Sequence, residues 1–148
     1  MLVKLRKQVQ IDMSYIPAQM RQRVVVRAES RCEYCRLSQA NQEAAFHIDH
    51  IKPKSAGGQT ILENLALACV SCSLRKAARR DAIDPETGAK VSFYNPRKNE
   101  WSNHFEVDDG HIFGKSPKGR ATVISLAMNR LLAVAIRREE IAAGRYRP

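Results

Sequence analysis

The sequence has no long hydrophobic run, and this absence excludes a membrane-spanning protein. No segment of the 148 residues approaches the roughly 18 consecutive apolar residues that a spanning helix needs. The first twelve residues, MLVKLRKQVQID, carry charges inside any would-be apolar core, so they do not resemble a secretory signal peptide. We therefore expect a cytoplasmic protein that does not contact a membrane.

Aromatic residues are also scarce, at 6% of the chain, which disfavours a surface on which nucleic-acid bases stack. Positive charge, by contrast, is in excess. The chain has 25 lysines and arginines against 15 acidic residues, which gives a formal net charge of +10. This balance favours a polyanionic partner, foremost a nucleic acid bound through its phosphate backbone.

The length predicts one folded domain. Residues 1–12 show no regular pattern and are interpreted as an N-terminal extension, so the domain comprises residues 13–148. Pro17 suits the first turn of a helix, which the apolar spacing extends over about 17–30. The C-terminal part, about 115–148, is predicted to be helical, and its RREE segment is interpreted as a solvated face with weak ion pairs.

The middle of the chain predicts strands separated by a loop. A short strand is indicated by AFHIDHI, an exposed loop by KPKSAGGQT, and a second apolar segment by ILENLALAC. A short basic helix is then predicted for SCSLRKAARR, and a further strand for VSFY. The predicted order is strand, loop, strand and helix.

Four cysteines form two C-x2-C pairs that are separated by 33 residues. Each pair can turn two thiolates toward a common point, and two pairs complete the closed tetrahedral shell of a structural Zn²⁺. Two disulfides are disfavoured in a reducing compartment, and a redox site would need a strand-helix setting that CEYC lacks. The predicted zinc ligands are Cys32, Cys35, Cys69 and Cys72.

Between the cysteine pairs, Asp49 and His50 are the candidate catalytic residues. A regular strand sends adjacent side chains to opposite faces, so the two can cooperate only where the backbone bends. A carboxylate binds a hard cation and an imidazole accepts a proton. Hydrolysis of a phosphodiester needs both.

These residues resemble the HNH endonuclease family, in a small bacterial subgroup. The similarity comprises the first C-x2-C, D-H-I-x-P, a glycine-rich loop, an asparagine in LENLALAC, and the second C-x2-C before a basic helix. It spans about residues 32–80. The resemblance implies an α+β fold with a ββα-metal core around one catalytic divalent ion, flanked here by N- and C-terminal helices.

The resemblance also implies a role for several residues. Asp49 stands where the family has a metal-ligating acid, His50 where it has the general base, and Asn64 where a side chain braces the loop and orients that base. The family usually has Asn or His directly after the last zinc cysteine as a further metal ligand, and this chain has Ser73. Three readings follow: Ser73 ligates directly or through water, His104 completes the site, or the enzyme is impaired.

The remaining histidines have more than one interpretation. His104 follows Trp101 by three residues and is either a ligand on a shared helical face or a packed structural residue. His47 shares the strand face of Asp49 and is either a hydrogen-bonded strand histidine or an additional group of the metal site. His111 lies in DDGHIFG and is interpreted as a loop residue.

The basic residues near these motifs are the predicted nucleic-acid contacts. On a continuous helix they would form like-charged i,i+4 pairs, whose repulsion phosphates would relieve. Such contacts follow the phosphate backbone rather than base edges. The predicted set is Arg75, Lys76, Arg79, Arg80, Lys52 and Lys54.

The sequence thus predicts a metal-dependent endonuclease that hydrolyses DNA with Mg²⁺ or another divalent cation such as Mn²⁺ or Ni²⁺, as a monomer or homodimer. The main alternative is a zinc-ribbon module that binds nucleic acid without cutting it. A protein-interaction domain is a second alternative. Zinc and positive charge fit all three classes, and only Asp49, His50 and Asn64 favour an enzyme.

Overall fold

The computed structural model describes residues 15–148, so the predicted N-terminal extension lies outside the described residues. The helices of this part are α1 (Ala18–Arg27), α2 (Val70–Lys76), α3 (Trp101–His104), α4 (Pro117–Ser125) and α5 (Leu131–Ala142). The strands are β1 (His47–His50), β2 (Leu65–Ala68), β3 (Asp81–Ile83), β4 (Lys90–Ser92), β5 (Phe105–Asp108) and β6 (His111–Gly114). They pair in antiparallel hairpins, β1 with β2, β3 with β4, and β5 with β6.

Helix α1 confirms the predicted N-terminal helix. Met20, Val24 and Ala28 follow one another at intervals of four residues and pack into the core, as expected for an amphipathic helix. The side chain of Arg27 at the end of α1 donates hydrogen bonds to the carbonyl of Leu62 at 2.9 Å and to that of Leu65 at 2.6 Å. The helix is thereby attached to the start of β2.

Strands β1 and β2 and helix α2 confirm the predicted order of strand, loop, strand and helix. β2 is buried along its whole length, and Asp49 of β1 lies opposite Ala66. In the connecting loop, a Cβ atom on Gly58 would lie 1.8 Å from the carbonyl oxygen of Lys52, so only glycine fits. Helix α2 ends at Lys76, because Ala77 adopts a positive φ of 49°.

The C-terminal part contains the predicted helices. The predicted helical tail consists of two helices, α4 and α5, and the Asn129 side chain between them makes two hydrogen bonds of 2.8 Å to the backbone of Ile112. His111 begins β6, where it pairs with Asp108, and does not lie in a loop.

The RREE segment of α5 is not a fully solvated face. Arg137 and Glu140 are both fully buried. The Arg137 guanidinium donates to the carbonyls of Gly110 and Met128, and Glu140 accepts from the backbone N–H of Ser38 at 3.0 Å. These two charged residues attach the C-terminal helix to the rest of the domain.

The fold class is α+β, as predicted. Strands β1 and β2 and helix α2 form the ββα unit, and helices precede and follow it in the chain. Among residues 15–148, no helix has the length and apolar character needed to cross a membrane.

Candidate active site

The four cysteines converge, as the two C-x2-C pairs predict. All are fully buried, and their Sγ atoms lie within 4.8 Å of one another. Cys32 and Cys35 belong to the turn after α1, whereas Cys69 caps the N-terminus of α2 and Cys72 lies in its first turn. The sulfurs of Cys35 and Cys69 are 3.8 Å apart, far beyond a disulfide bond of about 2 Å.

The chemistry of these thiols fits a metal site. Hydrogen bonds from the other three thiols lower the pKa of Cys69, whereas burial raises the pKa of Cys32 well above its ordinary value. Several buried thiolates are unfavourable without a cation, and a divalent metal ion would replace the protons. Four buried sulfur ligands fit a structural Zn²⁺ in type and number.

Asp49, the third residue of β1, has only 8% of its surface exposed. Its Oδ2 accepts a hydrogen bond from the hydroxyl of Tyr34 at 2.7 Å and lies 3.1 Å from Nζ of Lys76. Oδ1 lies 3.4 Å from the same ammonium and is the less engaged oxygen. Burial raises the pKa of Asp49, and the charge of Lys76 opposes that rise.

Lys76 departs from the sequence-based expectation. Only 2% of its surface is exposed, and its ammonium also donates to the carbonyls of His50 and Ile51, at 3.3 Å each. Helix α2 packs against β1 and turns this side chain inward. Lys76 is therefore a buried partner of Asp49 and not part of the exposed basic surface.

His47 and Ser73 form a second contact between β1 and α2. Side chains alternate along a strand, so His47 and Asp49 share one face of β1. Nδ1 of His47 lies 2.9 Å from the hydroxyl of Ser73, and Ser73 precedes Lys76 by one helical turn. The His47–Ser73 and Asp49–Lys76 pairs thus lie side by side between strand and helix.

His50 ends β1 and is half-buried. Its Nε2 lies 2.9 Å from the hydroxyl of Thr60. Burial lowers the pKa of His50, and the positive charge of Lys54 adds to this effect, so the imidazole is neutral near pH 7. When Nε2 carries the proton and donates it to Thr60, Nδ1 is the nitrogen that can accept a proton.

Asn64 closes the loop between the two strands. Its side-chain oxygen accepts from the backbone N–H of Lys52 at 2.8 Å, and its amide donates to the carbonyls of Lys52 and Gln59 at 3.0 and 2.9 Å. Gln59 immediately precedes Thr60. The hydrogen bonds of Asn64 therefore restrain the segment that carries the partner of His50.

One cavity of about 830 Å³ contains part of this site. It is lined by both Asp49 and His50, because β1 ends at His50 and the backbone bends at Ile51 and Lys52. The other polar side chains that line it include His47, Ser73 and Lys54.

The predicted nucleic-acid contacts other than Lys76 are exposed. Arg79 and Arg80 follow the end of α2, so they do not form the like-charged helical pairs that the sequence predicts. Arg75 lies on α2 and donates to the hydroxyl of Ser71 at 3.3 Å. Lys54 lines the cavity of Asp49, and Lys52 lies at the opposite side of the bend, in a second cavity.

His104 is not brought to Asp49. Its Nδ1 lies 2.7 Å from the hydroxyl of Ser116, and its ring packs 6.1 Å from the ring of Tyr94. It does not line the cavity that contains Asp49 and His50. The structure thus supports the packed interpretation of His104, because helix α3 leads into β5 on a different part of the domain.

Sequence reasoning did not identify Tyr34 or Thr60. Tyr34 lies between the cysteines of CEYC, and its hydroxyl reaches Asp49 across 15 positions of sequence. Thr60 belongs to the glycine-rich loop KPKSAGGQT, whose sequence indicates a loop but gives Thr60 no role. Neither contact has a local sequence signal, because the paired residues are 15 and 10 positions apart.

Comparisons with known proteins show similarity to an endonuclease family over part of the chain. Residues 32–79 match the family model described as HNH endonuclease. The chain is similar to the Septu protein PtuB of Bacillus thuringiensis, with 24% identity over 106 residues. That region is 70% of this chain and 38% of the relative, so the chain spans well under half of that protein. No solved structure matches the chain.

Proposed function

We propose that this chain is a metal-dependent endonuclease that hydrolyses phosphodiester bonds in DNA, since residues 32–79 match the HNH endonuclease family model. One observation carries the proposal: Asp49, His50 and the His47–Ser73 pair line a single cavity on the ββα unit. These groups offer ligands for a divalent cation and a base for the attacking water.

Asp49 and the His47–Ser73 pair would hold the cation, which is Mg²⁺ or another divalent ion such as Mn²⁺ or Ni²⁺. When bound, the ion stabilises the negative charge that develops on the scissile phosphate and its leaving oxygen. A carboxylate suits a hard cation, and Oδ1 of Asp49 has the fewer protein contacts.

The Ser73 hydroxyl is a weaker ligand than the Asn or His that the family has at this position. The imidazole of His47 lies 2.9 Å from that hydroxyl and supplies a nitrogen beside it. We therefore assign the remaining ligand to His47, with Ser73 fixing its ring. An imidazole ligand shifts the metal preference from Mg²⁺ toward transition metals such as Ni²⁺.

Tyr34 and Lys76 hold the Asp49 carboxylate in one orientation. Both contact Oδ2, and Lys76 also holds the backbone carbonyls of His50 and Ile51. The carboxylate and the end of β1 are thus fixed before substrate binds. Such preorganisation limits the rearrangement that the reaction requires.

His50 acts as the general base. Its neutral imidazole takes a proton from a water molecule that attacks the phosphorus, and Nδ1 accepts this proton when Nε2 donates to Thr60. Asn64 restrains the loop that carries Thr60 and so contributes to the orientation of the ring. Thr60 and Asn64 are positioning residues in this scheme.

The cysteine cluster would hold a structural Zn²⁺. Cys32 and Cys35 precede β1, and Cys69 and Cys72 follow β2, so the ion would join both ends of the ββα unit. A closed shell of four thiolates leaves no position for a substrate. The zinc therefore supports the fold and takes no part in hydrolysis.

DNA would be bound through its phosphates by exposed basic residues around the site. Backbone contacts of this kind give weak sequence preference and strong salt dependence. The proposed contacts are Arg75, Arg79, Arg80, Lys52 and Lys54. A single catalytic site cuts one strand at a time, so a double-strand break needs a second copy of the chain or a second nick.

Two observations favour the alternative of a module that binds nucleic acid without cutting it. The carboxylate of Asp49 is already paired with the ammonium of Lys76, and Ser73 replaces a stronger ligand. A cation would have to share Asp49 with Lys76. Cleavage assays separate the two functions directly.

The test is incubation of supercoiled plasmid with purified protein and Mg²⁺, Mn²⁺ or Ni²⁺. Wild type is expected to convert the plasmid to open circles or linear DNA, and Asp49→Asn to leave it supercoiled while still binding DNA. If wild type leaves the plasmid intact with every metal, the binding module is the better description.

A further inference from the structure

A second cavity, of about 410 Å³, lies beside the proposed active site. It opens between the end of α2, the loop before β2, the segment 92–99 and helix α4. Only part of its wall belongs to the ββα unit, because Lys98 and Lys118 come from outside residues 32–79. The catalytic scheme above places no ligand in this cavity, although Lys76 and Asn64 of its wall take part in that scheme.

The wall of this cavity is strongly positive. Six basic residues line it and Glu63 is its one acidic residue, a count that covers the described residues. Lys76 is neutralised by Asp49, so five positive charges face one negative charge. The basic residues of the wall are Lys52, Lys76, Arg79, Arg80, Lys98 and Lys118.

Two of these side chains are held in place by protein contacts. Nζ of Lys118 donates to the hydroxyl of Ser92 at 2.6 Å and to the carbonyl of Phe93 at 3.4 Å. The guanidinium of Arg79 lies 5.5 Å from the ring centre of Phe93, within range of a cation–π interaction. These contacts preorganise positive charge around Phe93.

The other cations of the wall have no acidic partner. Lys52, Arg80 and Lys98 are exposed and form no ion pair with any residue of 15–148. Like charges gathered around a concave surface repel one another, and the concave shape strengthens their field. A bound anion would relieve this repulsion.

The two cavities are neighbours in the fold. Lys76 lines the second cavity, and its ammonium contacts Asp49, which lines the first. Asn64 lines the second cavity and braces the loop that carries Thr60. A polyanion that reaches Asp49 therefore passes close to this basic wall.

We propose that the second cavity binds a phosphate group of the DNA strand, away from the phosphate that is cut. The proposal rests on the proposed function for its choice of DNA as the source of the phosphate. The volume of the second cavity lies within the range of about 300–1,000 Å³ that is usual for ligand pockets. Phosphate of a free nucleotide has the same chemistry, and the test distinguishes the two sources.

The test compares two charge-reversed proteins of equal net charge. One carries Arg80→Glu and Lys98→Glu in the cavity, and the other carries Lys115→Glu and Arg145→Glu, which do not line it. Binding of a fluorescent DNA duplex is measured by anisotropy at several salt concentrations, without added divalent cation. Circular dichroism and thermal unfolding establish that both proteins are folded like wild type.

The cavity protein is expected to bind DNA about tenfold more weakly than the control, with a salt slope smaller by about 1 to 2. Equal losses in the two proteins would overturn the proposal, since net charge alone would then explain binding. Competition with ATP and with inorganic phosphate shows whether the bound phosphate comes from a DNA strand or from a free nucleotide. If ATP binds wild type tightly and the cavity protein does not, the assignment to a DNA strand is overturned.

These results are independent of cleavage. Unaltered binding by the cavity protein would remove the second site without affecting the role of His50. A wild-type protein that binds DNA through the cavity but cuts none would remove the catalytic proposal and retain this one.

Discussion

The imidazole of His47 lies 2.9 Å from the hydroxyl of Ser73, on the strand face that also carries Asp49. Ser73 stands where the family has an Asn or His ligand. If His47 supplies that ligand instead, His47→Ala should weaken Mn²⁺ binding about 10- to 100-fold. Isothermal titration calorimetry of the zinc-loaded protein measures this directly and needs no cleavage. His111→Ala, on β6, is the matched control.

A rescue variant sharpens this prediction. Ser73→Asn in the His47→Ala background should recover Mn²⁺ affinity, because an amide oxygen is a better ligand than a hydroxyl for a hard cation. Wild-type affinity in His47→Ala would show that the histidine is only a hydrogen-bonded strand residue.

The Asp49–Lys76 pair predicts a large effect on stability. Lys76→Met leaves a buried carboxylate without its counter-charge, which should lower the free energy of unfolding by about 3–5 kcal/mol. Urea unfolding measures the change, and Asp49→Asn combined with Lys76→Met should recover much of it. A loss of about 0–1 kcal/mol, as for an exposed pair, would contradict the pairing.

The cysteine cluster predicts dependence of folding on zinc. Wild type should contain one zinc ion per chain by elemental analysis, and Cys69→Ser should lose the ion and unfold, because structural zinc contributes about 10–16 kcal/mol of apparent binding energy in small domains. Ser71→Ala, in the same helix, should retain both zinc and structure. A folded, zinc-free Cys69→Ser protein with unchanged thermal stability would refute the structural role.

Thr60 is expected to position the base. Thr60→Val removes the hydroxyl that contacts Nε2 of His50 and should lower kcat about tenfold with little change in KM, since general-base catalysis depends on orientation. Thr60→Ser keeps the hydroxyl and should retain most of the rate. Equal rates in wild type and Thr60→Val would mean that another group fixes the ring.

The sequence predicted the ββα unit and the cysteine cluster because both depend on local patterns. Alternation of apolar residues indicated β1, and the C-x2-C spacing indicated the cluster. The loop interpretation of DDGHIFG is wrong, because Asp109 and Gly110, between β5 and β6, form a hairpin turn with φ angles of 47° and 77°. Asp-Gly between alternating apolar residues is a strong indicator of a hairpin.

Other features could not be derived from local patterns. Lys76, Arg137 and Glu140 look like surface residues in the sequence but are buried in the structure. Each has a partner that is distant in sequence. Lys76 pairs with Asp49, Arg137 donates to the carbonyl of Gly110, and Glu140 accepts from the N–H of Ser38. Burial of a charge depends on such a partner, which only the tertiary fold supplies.

His50 is the most direct test of the proposed function. The measurement is the single-turnover rate of cleavage of an end-labelled DNA duplex in Mn²⁺, for wild type, His50→Ala and His111→Ala. Loss of the general base should slow cleavage about 10²- to 10⁴-fold in His50→Ala. His111→Ala should cut at the wild-type rate, because that histidine does not line the cavity. Cleavage by His50→Ala at the wild-type rate would contradict the catalytic account.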